Sequence, residues 1–193
     1  LTLILFLTFP AVFAQHQHKS PSFAIDSVLQ ADAMNAAEAA KFGALVIQDQ
    51  GGRMKPANTF ASELVRKVSK SDHYKSLDAN QILLSITQNP IIWYQVPFVY
   101  LKRGNDSIRS IIGIDKKSKY ASFANFFDTQ GNYKLATYLE SAYKSATPNQ
   151  FQKDFIQTDR KVNLLFSALE GKVLRIFPIP NDNNNRWASP AEV

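Results

Sequence analysis

The sequence predicts an α+β domain that is predominantly helical and carries a small sheet. Two observations predict the helices: an alanine-rich stretch at residues 27–41 is a strong helix former, and apolar residues recur at helical spacing between residues 148 and 170. Short apolar runs at residues 44–47, 91–101 and 173–177 predict the strands. The 193 residues, of which 45% are hydrophobic and 20% charged, suffice for a single globular domain with its own core.

The first half of the domain begins with the alanine-rich helix and the first short strand, which ends at a glycine–glycine turn (residues 51–52). After Pro56 we expect a helix that is capped by Asn58 or Thr59 and runs to about residue 69. Its core-facing residues recur at four-residue spacing: Phe60, Leu64 and Val68.

A second capped helix follows in the middle of the chain. Asp78 and Gln81 have the spacing of a capping box, and Pro90 is expected to end the helix that they open. The aromatic and β-branched residues 91–101 predict a strand, placed at a sheet edge or interrupted by Pro97.

Residues 107–114 fit a helix or a strand equally well. A further helix is expected to carry three phenylalanines and to end near the turn at residues 128–132, and another is expected over residues 134–145. The three phenylalanines are Phe123, Phe126 and Phe127.

The longest predicted helix begins at Pro148 and ends at Glu170, with Gly171 as its left-handed terminator. Its apolar stripe consists of Phe151, Phe155, Val162, Leu165 and Leu169. Three charged residues are expected on its exposed face: Asp154, Asp159 and Arg160. The last strand (173–177) and an irregular loop (178–185) follow.

The amino-terminal residues predict a location outside the cytoplasm. Residues 1–14 are apolar apart from two threonines, and they end in a sequence typical of a signal-peptidase site. We interpret them as the remnant of a signal peptide or of a longer transmembrane helix, with a buried core helix as the alternative. The predicted organisation is therefore an apolar segment (1–14), a polar linker (15–26) and an extracytoplasmic domain (27–193).

The positive charge of the chain suits an anionic partner. The formal net charge is +6, and the densest basic groups are Lys102-Arg103 and Lys116-Lys117-Lys119. Such a charge fits an acidic membrane surface or a ligand with carboxylates, and it also fits an ordinary solvated surface. No basic stretch is interleaved with aromatic residues, so no nucleic-acid partner is expected.

The sequence predicts neither a catalytic centre nor a metal site. The chain has no cysteine, which excludes disulfides, thiolate chemistry and covalent haem attachment to this chain. Four acidic residues could act as acid or base, but none has a partner at enforcing local spacing: Asp49, Glu63, Asp154 and Asp159. His16 and His18 would point the same way in an extended chain and are weak metal-ligand candidates, whereas His73 stands alone.

The glycine turn supplies the candidate binding site. Arg53 and Lys55 follow the turn, and the predicted helix presents its first free N–H groups near Thr59. Two cations and a positive helix end can hold a carboxylate or phosphate. The structural alternative is a hairpin in which Arg53 pairs with Asp49 and Asn58 caps the helix.

Several of these stretches together resemble the extracytoplasmic domain of system II cytochrome c biogenesis proteins, the fused ResB/CcsA-type membrane proteins. The resemblance covers about residues 41–190. It is carried by KFGALVIQDQGGRMKPANTFASELVRKV at 41–68, by QILL at 81–84 with Pro90 and Trp93 after it, and by IFPIPNDNNNRW at 176–187. The chain lacks the family's tryptophan-rich motif, its several transmembrane helices and its membrane-embedded histidines, so it resembles a piece of such a protein.

The resemblance implies an accessory or scaffold domain of a membrane complex that delivers haem and attaches it to apocytochrome c. The implied partners are the remaining membrane subunits and apocytochrome c, and the implied location is the periplasmic face of the inner membrane. The parent complex resembles a cytochrome c synthetase and handles haem, but no family catalytic residue can be placed on this chain. The alternative interpretation is an independent exported ligand-binding protein that is released by cleavage after Ala14.

Within this interpretation, Arg53 and Lys55 are the candidates for an anionic contact such as the haem propionates. Trp93 and Tyr94 are the candidates for an aromatic contact, with burial in the core as the alternative for Trp93.

Overall fold

A computed structural model describes residues 21–193 and shows a mostly helical body with four small antiparallel two-stranded sheets. The helices are α1 (Pro21–Ala31), α2 (Ala36–Gly43), α3 (Ala57–Ser69), α4 (Ala79–Gln88), α5 (Pro90–Trp93), α6 (Asp106–Ile112), α7 (Ala136–Lys144) and α8 (Gln150–Leu169), with a 3-10 helix at Phe123–Phe126. The paired strands are β1 (Val46–Gln48) with β2 (Met54–Pro56), β3 (His73–Tyr74) with β4 (Leu77–Asp78), β5 (Val99–Tyr100) with β6 (Tyr120–Ala121), and β7 (Phe177–Pro178) with β8 (Trp187–Ala188). The predicted α+β fold class is confirmed.

The core lies where α3, α4 and α8 meet, and α7 packs along α8. Phe155 and Leu165 of α8 are fully buried, as are Val65 of α3 and Ile82 of α4. The predicted core residues Phe60, Leu64 and Val68 are also buried. The apolar stripe of α8 is confirmed except at Phe151, which is 42% exposed.

Two of the predicted helix boundaries are set by local hydrogen bonds. The Asp78 carboxylate accepts from the Gln81 N–H at 2.9 Å, and the Gln81 side chain accepts from the Asp78 N–H at 3.0 Å, which confirms the capping box. At the other end of the long helix α8, Gly171 has a φ of 68°, the left-handed conformation expected of a terminator. The helix itself begins two residues after Pro148, with Asn149 as its cap.

The alanine-rich helix predicted over residues 27–41 is wrong as one element. The structure divides it into α1 and α2, because Asn35 caps α2 by accepting the N–H of Ala37 at 2.8 Å. Helix α1 also starts earlier than expected, so residues 21–26 of the predicted linker are helical. Asp26 fixes this helix to the β3–β4 hairpin by accepting from the Tyr74 hydroxyl at 2.7 Å and pairing with Lys75 at 3.0 Å.

The long strand predicted at residues 91–101 is also wrong over its first half. Pro90 occupies the first turn of α5, and Trp93 closes that helix with a fully buried indole whose Nε1 donates to Ser85 at 2.9 Å. Only Val99 and Tyr100 are in a strand. The aromatic residues form core contacts in a helical turn, and sequence propensity does not distinguish these from strand contacts.

Smaller differences between the predicted and the observed structure occur at other elements. Helix α3 begins at Ala57 without a side-chain cap, since the Thr59 hydroxyl donates to Asn58 at 3.2 Å instead of either residue capping the helix. The phenylalanines at 123 and 126 are on a 3-10 helix, and residues 106–112 are helical. The final strand, predicted over residues 173–177, is limited to Phe177 and Pro178, which pair with β8. Pro178 was predicted to belong to the irregular loop.

The prediction that Asp154 and Asp159 are exposed is wrong, because they are 6% and 7% exposed. Asp154 accepts hydrogen bonds from Lys102 at 3.2 Å and from Gln150 at 2.8 Å. Asp159 accepts from the Tyr143 hydroxyl at 2.8 Å and from Asn163 at 3.0 Å. Both carboxylates therefore link α8 to its neighbours, whereas Arg160 is exposed as predicted.

Gln48 connects the first hairpin to the last one. Its backbone N–H donates to Arg175 at 3.0 Å, and its buried side chain accepts from the Trp187 N–H at 2.8 Å. The same amide donates to Asn185 at 2.9 Å and to Gly52 at 3.2 Å. One amide thus joins two segments that are far apart in the chain and that both carry the family resemblance.

We predict that Gln48→Ala destabilises the domain by about 2 kcal/mol, because it leaves a backbone N–H and two carbonyls without their partner. Urea unfolding measures the loss, and amide hydrogen exchange should accelerate in residues 177–188. The control Gln157→Ala changes an exposed glutamine of α8 and should stay within about 0.5 kcal/mol of the parent. Equal stability of the two variants would contradict this role for Gln48.

Candidate functional site

A groove lined by aromatic side chains, with a volume of about 640 Å³, is the candidate binding site on the described part of the molecule. We call it the aromatic groove and define it by Tyr94, Phe123, Phe127, Tyr133 and Phe166. Ala124, Asp128, Val162 and Asn163 complete its lining. Such a mainly apolar depression with a few polar groups is typical of a binding site.

The groove forms because the 3-10 helix is held against two helices. The Ala124 N–H donates to the Tyr94 carbonyl at 2.9 Å, which fixes the 3-10 helix beside the end of α5. The Phe123 ring is then perpendicular to the Tyr94 ring, with their centres 5.0 Å apart. It is parallel to the Phe166 ring of α8, with their centres 5.7 Å apart. Phe166 is 39% exposed, so one edge of the groove is open to a partner.

Hydrogen bonds and burial shift the pKa values of two polar groups of the groove, Asp128 and Tyr133. The Asn132 side chain and backbone N–H donate to Asp128 and keep the pKa of that carboxyl below its usual range. Burial, and then the nearby Asp159 carboxylate, raise the pKa of Tyr133. Among residues 21–193 the Tyr133 hydroxyl has no hydrogen bond of good geometry. These groups can orient a ligand, and the arrangement lacks a paired acid and base.

The β1–β2 hairpin has the predicted glycine turn, with Gly52 at a φ of 80°. The Lys55 ammonium lies 3.0 Å from Asp49 and 3.1 Å from Glu63, so two carboxylates already neutralise it. The Lys55 hydrogen bond, and then the Arg53 N–H, keep the pKa of Asp49 low. Asp49 therefore pairs with Lys55 instead of the Arg53 guanidinium, and Arg53 is exposed.

The predicted site residues are thus divided between different parts of the molecule. Arg53, Lys55 and Thr59 are on the hairpin and the first turn of α3, Tyr94 lines the aromatic groove, and Trp93 is a core residue. His16 and His18 lie outside the described residues.

No metal centre is present among the residues that the structure describes, since no three histidine or acidic side chains of residues 21–193 come together. His73 is exposed, and its ring Nδ1 lies 2.7 Å from a carboxylate oxygen of the neighbouring Asp72. Within the same range, no helix has both the length and the apolarity to cross a bilayer.

A second surface was not found by sequence reasoning, because its residues come from four segments that are distant in the chain. We call it the basic surface. It consists of Lys67, Lys70, Lys102, Arg103, Lys116, Lys117, Lys119, Arg160 and Lys161. Three adjoining depressions share its members: Lys119 lines two of them, and Lys70 and Lys161 line two.

Lys161 lies at the centre of the basic surface. Its ammonium donates to the Tyr100 carbonyl at 2.8 Å and is 4.9 Å from the centre of the Tyr100 ring. Burial, and then the charge of Lys70, lower the pKa of Lys161 to about 8, although Asp154 acts in the opposite direction. The Lys161 ammonium is therefore a partly buried cation, and an anion bound beside it would stabilise its charged form.

Comparison with known proteins gives a distant relative. No family model matches the chain. The chain is 30% identical over 153 residues to protein NrfI of Wolinella succinogenes, and the match covers 78% of this chain. The matched region is 17% of NrfI, so this chain spans about a sixth of the length of that relative. The chain is a distant homologue of a segment of NrfI.

The lowered pKa of Lys161 predicts a pH-dependent stability. The unfolded chain keeps this proton up to about pH 10.5, whereas the folded chain loses it near pH 8. Because the unfolded state binds more protons between these values, the free energy of unfolding should rise with pH in that window. Urea unfolding at several pH values measures this rise, and Lys161→Met should remove it.

The matched control is Lys144→Met, which changes an exposed lysine of α7 paired with Glu140. This variant should keep the pH dependence of the parent chain. If Lys161→Met and the parent show the same dependence between pH 8 and 10.5, Lys161 is not the responsible group.

Proposed function

We propose that this chain is an extracytoplasmic accessory or scaffold domain of a cytochrome c biogenesis complex that delivers haem and attaches it to apocytochrome c. The observation that carries the proposal is the homology to NrfI over 78% of the chain. The resemblance of residues 41–68 and 176–187 to system II proteins also supports it.

The geometry supports binding rather than catalysis. The buried carboxylates of α8 accept hydrogen bonds from neighbouring side chains, and those of the hairpin pair with Lys55. These carboxylates are therefore held by hydrogen-bond donors and cations rather than placed as a free acid–base pair. The chemistry of haem attachment therefore belongs to other parts of the proposed complex.

The aromatic groove is the proposed docking point for apocytochrome c. An apoprotein without its haem exposes apolar side chains that a folded cytochrome would bury. The exposed edge of Phe166 and the rings of Tyr94 and Phe123 offer a preformed apolar surface to such side chains. This location agrees with Tyr94 as an aromatic contact and leaves Trp93 in the core.

The β1–β2 hairpin is the proposed anionic contact. Lys55 is compensated by two carboxylates, so the net attraction for a carboxylate ligand comes from the exposed Arg53. A guanidinium binds a carboxylate through two parallel hydrogen bonds. A haem propionate is the ligand that the proposed function suggests.

The proposed location is the periplasmic face of the inner membrane. The apolar residues 1–14 lie outside the described residues, and we propose that they are the membrane-targeting part of the chain. The remaining membrane subunits of the complex would then be the neighbours of the domain.

We predict that Phe166→Ala weakens the binding of an apocytochrome c peptide at least about tenfold, because it removes the exposed ring of the groove. A pulldown with immobilised peptide, followed by titration, measures the change. Phe151→Ala is the control, since Phe151 is also on α8 and is 42% exposed but does not line the groove. An equal effect of both substitutions, or no binding by the parent chain, would refute docking in the groove.

We further predict that Arg53→Ala weakens haem binding by about fivefold to tenfold without unfolding the domain, because the side chain is exposed. A haem titration that follows the Soret band measures the affinity, and circular dichroism measures the melting temperature. Arg66→Ala removes a comparably exposed cation from α3 and should leave haem binding unchanged. A Soret titration that is identical for the parent and Arg53→Ala would contradict the anionic contact.

A further inference from the structure

Positive charge is concentrated on the basic surface. Among residues 21–193, Asp154 pairs with Lys102 at 3.2 Å, and Glu63 lies 4.0 Å from Lys67 but closer to Lys55, at 3.1 Å. Asp106 and Arg109, at the edge of this surface, form an ion pair at 3.8 Å and cancel. The formal net charge of the whole chain is +6.

Most of these cations have no acidic partner to hold them. Among residues 21–193, no ion pair is formed by Lys70, Arg103, Lys116, Lys117 or Lys119. Elsewhere, exposed lysines do pair, as Lys41 does with Glu38 and Lys144 with Glu140, both at 2.7 Å. An unpaired group of like charges is repulsive, and a polyanion that covers it removes this repulsion.

We propose that the basic surface docks this domain against a bilayer that contains anionic phospholipid. The proposal rests on the proposed function, in which residues 1–14 attach the chain to a membrane. Clusters of lysine and arginine beside a membrane-attached segment bind anionic headgroups, and the attraction grows with each cation. The three adjoining depressions form a footprint too wide for one small anion.

The position of α1 supports this orientation. Asp26 of α1 and Tyr120 of β6 line the same depression, of about 430 Å³, and Tyr120 also contacts Lys119 of the basic surface. Helix α1 therefore lies near this surface at Asp26. Tyr100 and Tyr120, whose rings are 6.1 Å apart, add the amphipathic aromatic side chains that are enriched at membrane interfaces.

The same two tyrosines disfavour a single-stranded nucleic acid as the partner. Proteins of that class stack bases on free aromatic faces. Here the ammonium of Lys161 is 4.9 Å from the Tyr100 ring centre, and that of Lys119 is 5.2 Å from the Tyr120 ring centre. An ammonium of the surface itself thus lies beside each ring and competes with the stacking of a base.

The test is flotation of the whole chain with two kinds of vesicle. One kind consists of phosphatidylcholine alone, and the other has one-quarter of its lipid replaced by phosphatidylglycerol. We expect tighter binding to the anionic vesicles, with a loss of the difference at high salt. Lys70→Gln combined with Lys117→Gln should weaken the binding to anionic vesicles roughly twentyfold. Lys41→Gln combined with Lys144→Gln removes the same charge from α2 and α7 and should change it less than about twofold.

Lysine acetylation of the bound chain separates docking from attachment by the apolar segment. Anionic vesicles should protect Lys70, Lys117 and Lys119 but leave Lys41 and Lys144 reactive. Equal binding to both vesicle types, or equal protection of all lysines, would overturn docking and leave attachment and the proposed function intact.

A competition experiment distinguishes the lipid from other polyanions. If a single-stranded oligonucleotide or an acidic peptide displaces the chain from anionic vesicles at a lower concentration than that of the lipid, the surface belongs to that partner instead. Conversely, the apocytochrome pulldown could fail while the chain still binds anionic vesicles more tightly than neutral ones. That result would refute the proposed function and leave the membrane contact intact.

Discussion

The burial of α8 is the constraint on which the rest of the domain depends. Its 20 residues bury Phe155 and Leu165 against α3 and α4. The fixed helix then presents Phe166 to the aromatic groove and Lys161 to the basic surface. Because one rigid element contributes to all three environments, a shift of α8 would alter the core and both surfaces together.

Polar groups inside the domain fix how its small hairpins meet the helices. Gln48 joins the first and last hairpins, and the Arg109 guanidinium donates to the carbonyls of Leu101, Lys102 and Ser118 at 2.8–3.0 Å. Two-residue strands satisfy few of their own backbone groups, so such side chains supply the missing partners. The loops that follow β5 thereby carry Lys102, Arg103 and Lys119 into fixed positions on the basic surface.

The two surfaces fit the scaffold role that we propose. The aromatic groove offers apolar contact with a few fixed polar groups, and the basic surface offers unpaired charge over a wide area. A scaffold at a membrane needs both kinds of contact, one for a client protein and one for orientation towards the bilayer. The distant homology to a segment of the longer protein NrfI agrees with a part that works within a larger assembly.

The sequence by itself determined the fold class, the Asp78–Gln81 capping box, the end of α8 at Gly171 and most of the core positions. These features depend on residues within one or two helical turns of each other, so local spacing encodes them. It did not determine that the aromatic run ending at Leu101 starts as a helix, that Asp154 and Asp159 are buried, or that Lys55 is shared by two carboxylates. Only the tertiary structure decided these points and assembled the groove and the basic surface, because their partners come from segments tens of residues apart whose packing no local pattern records.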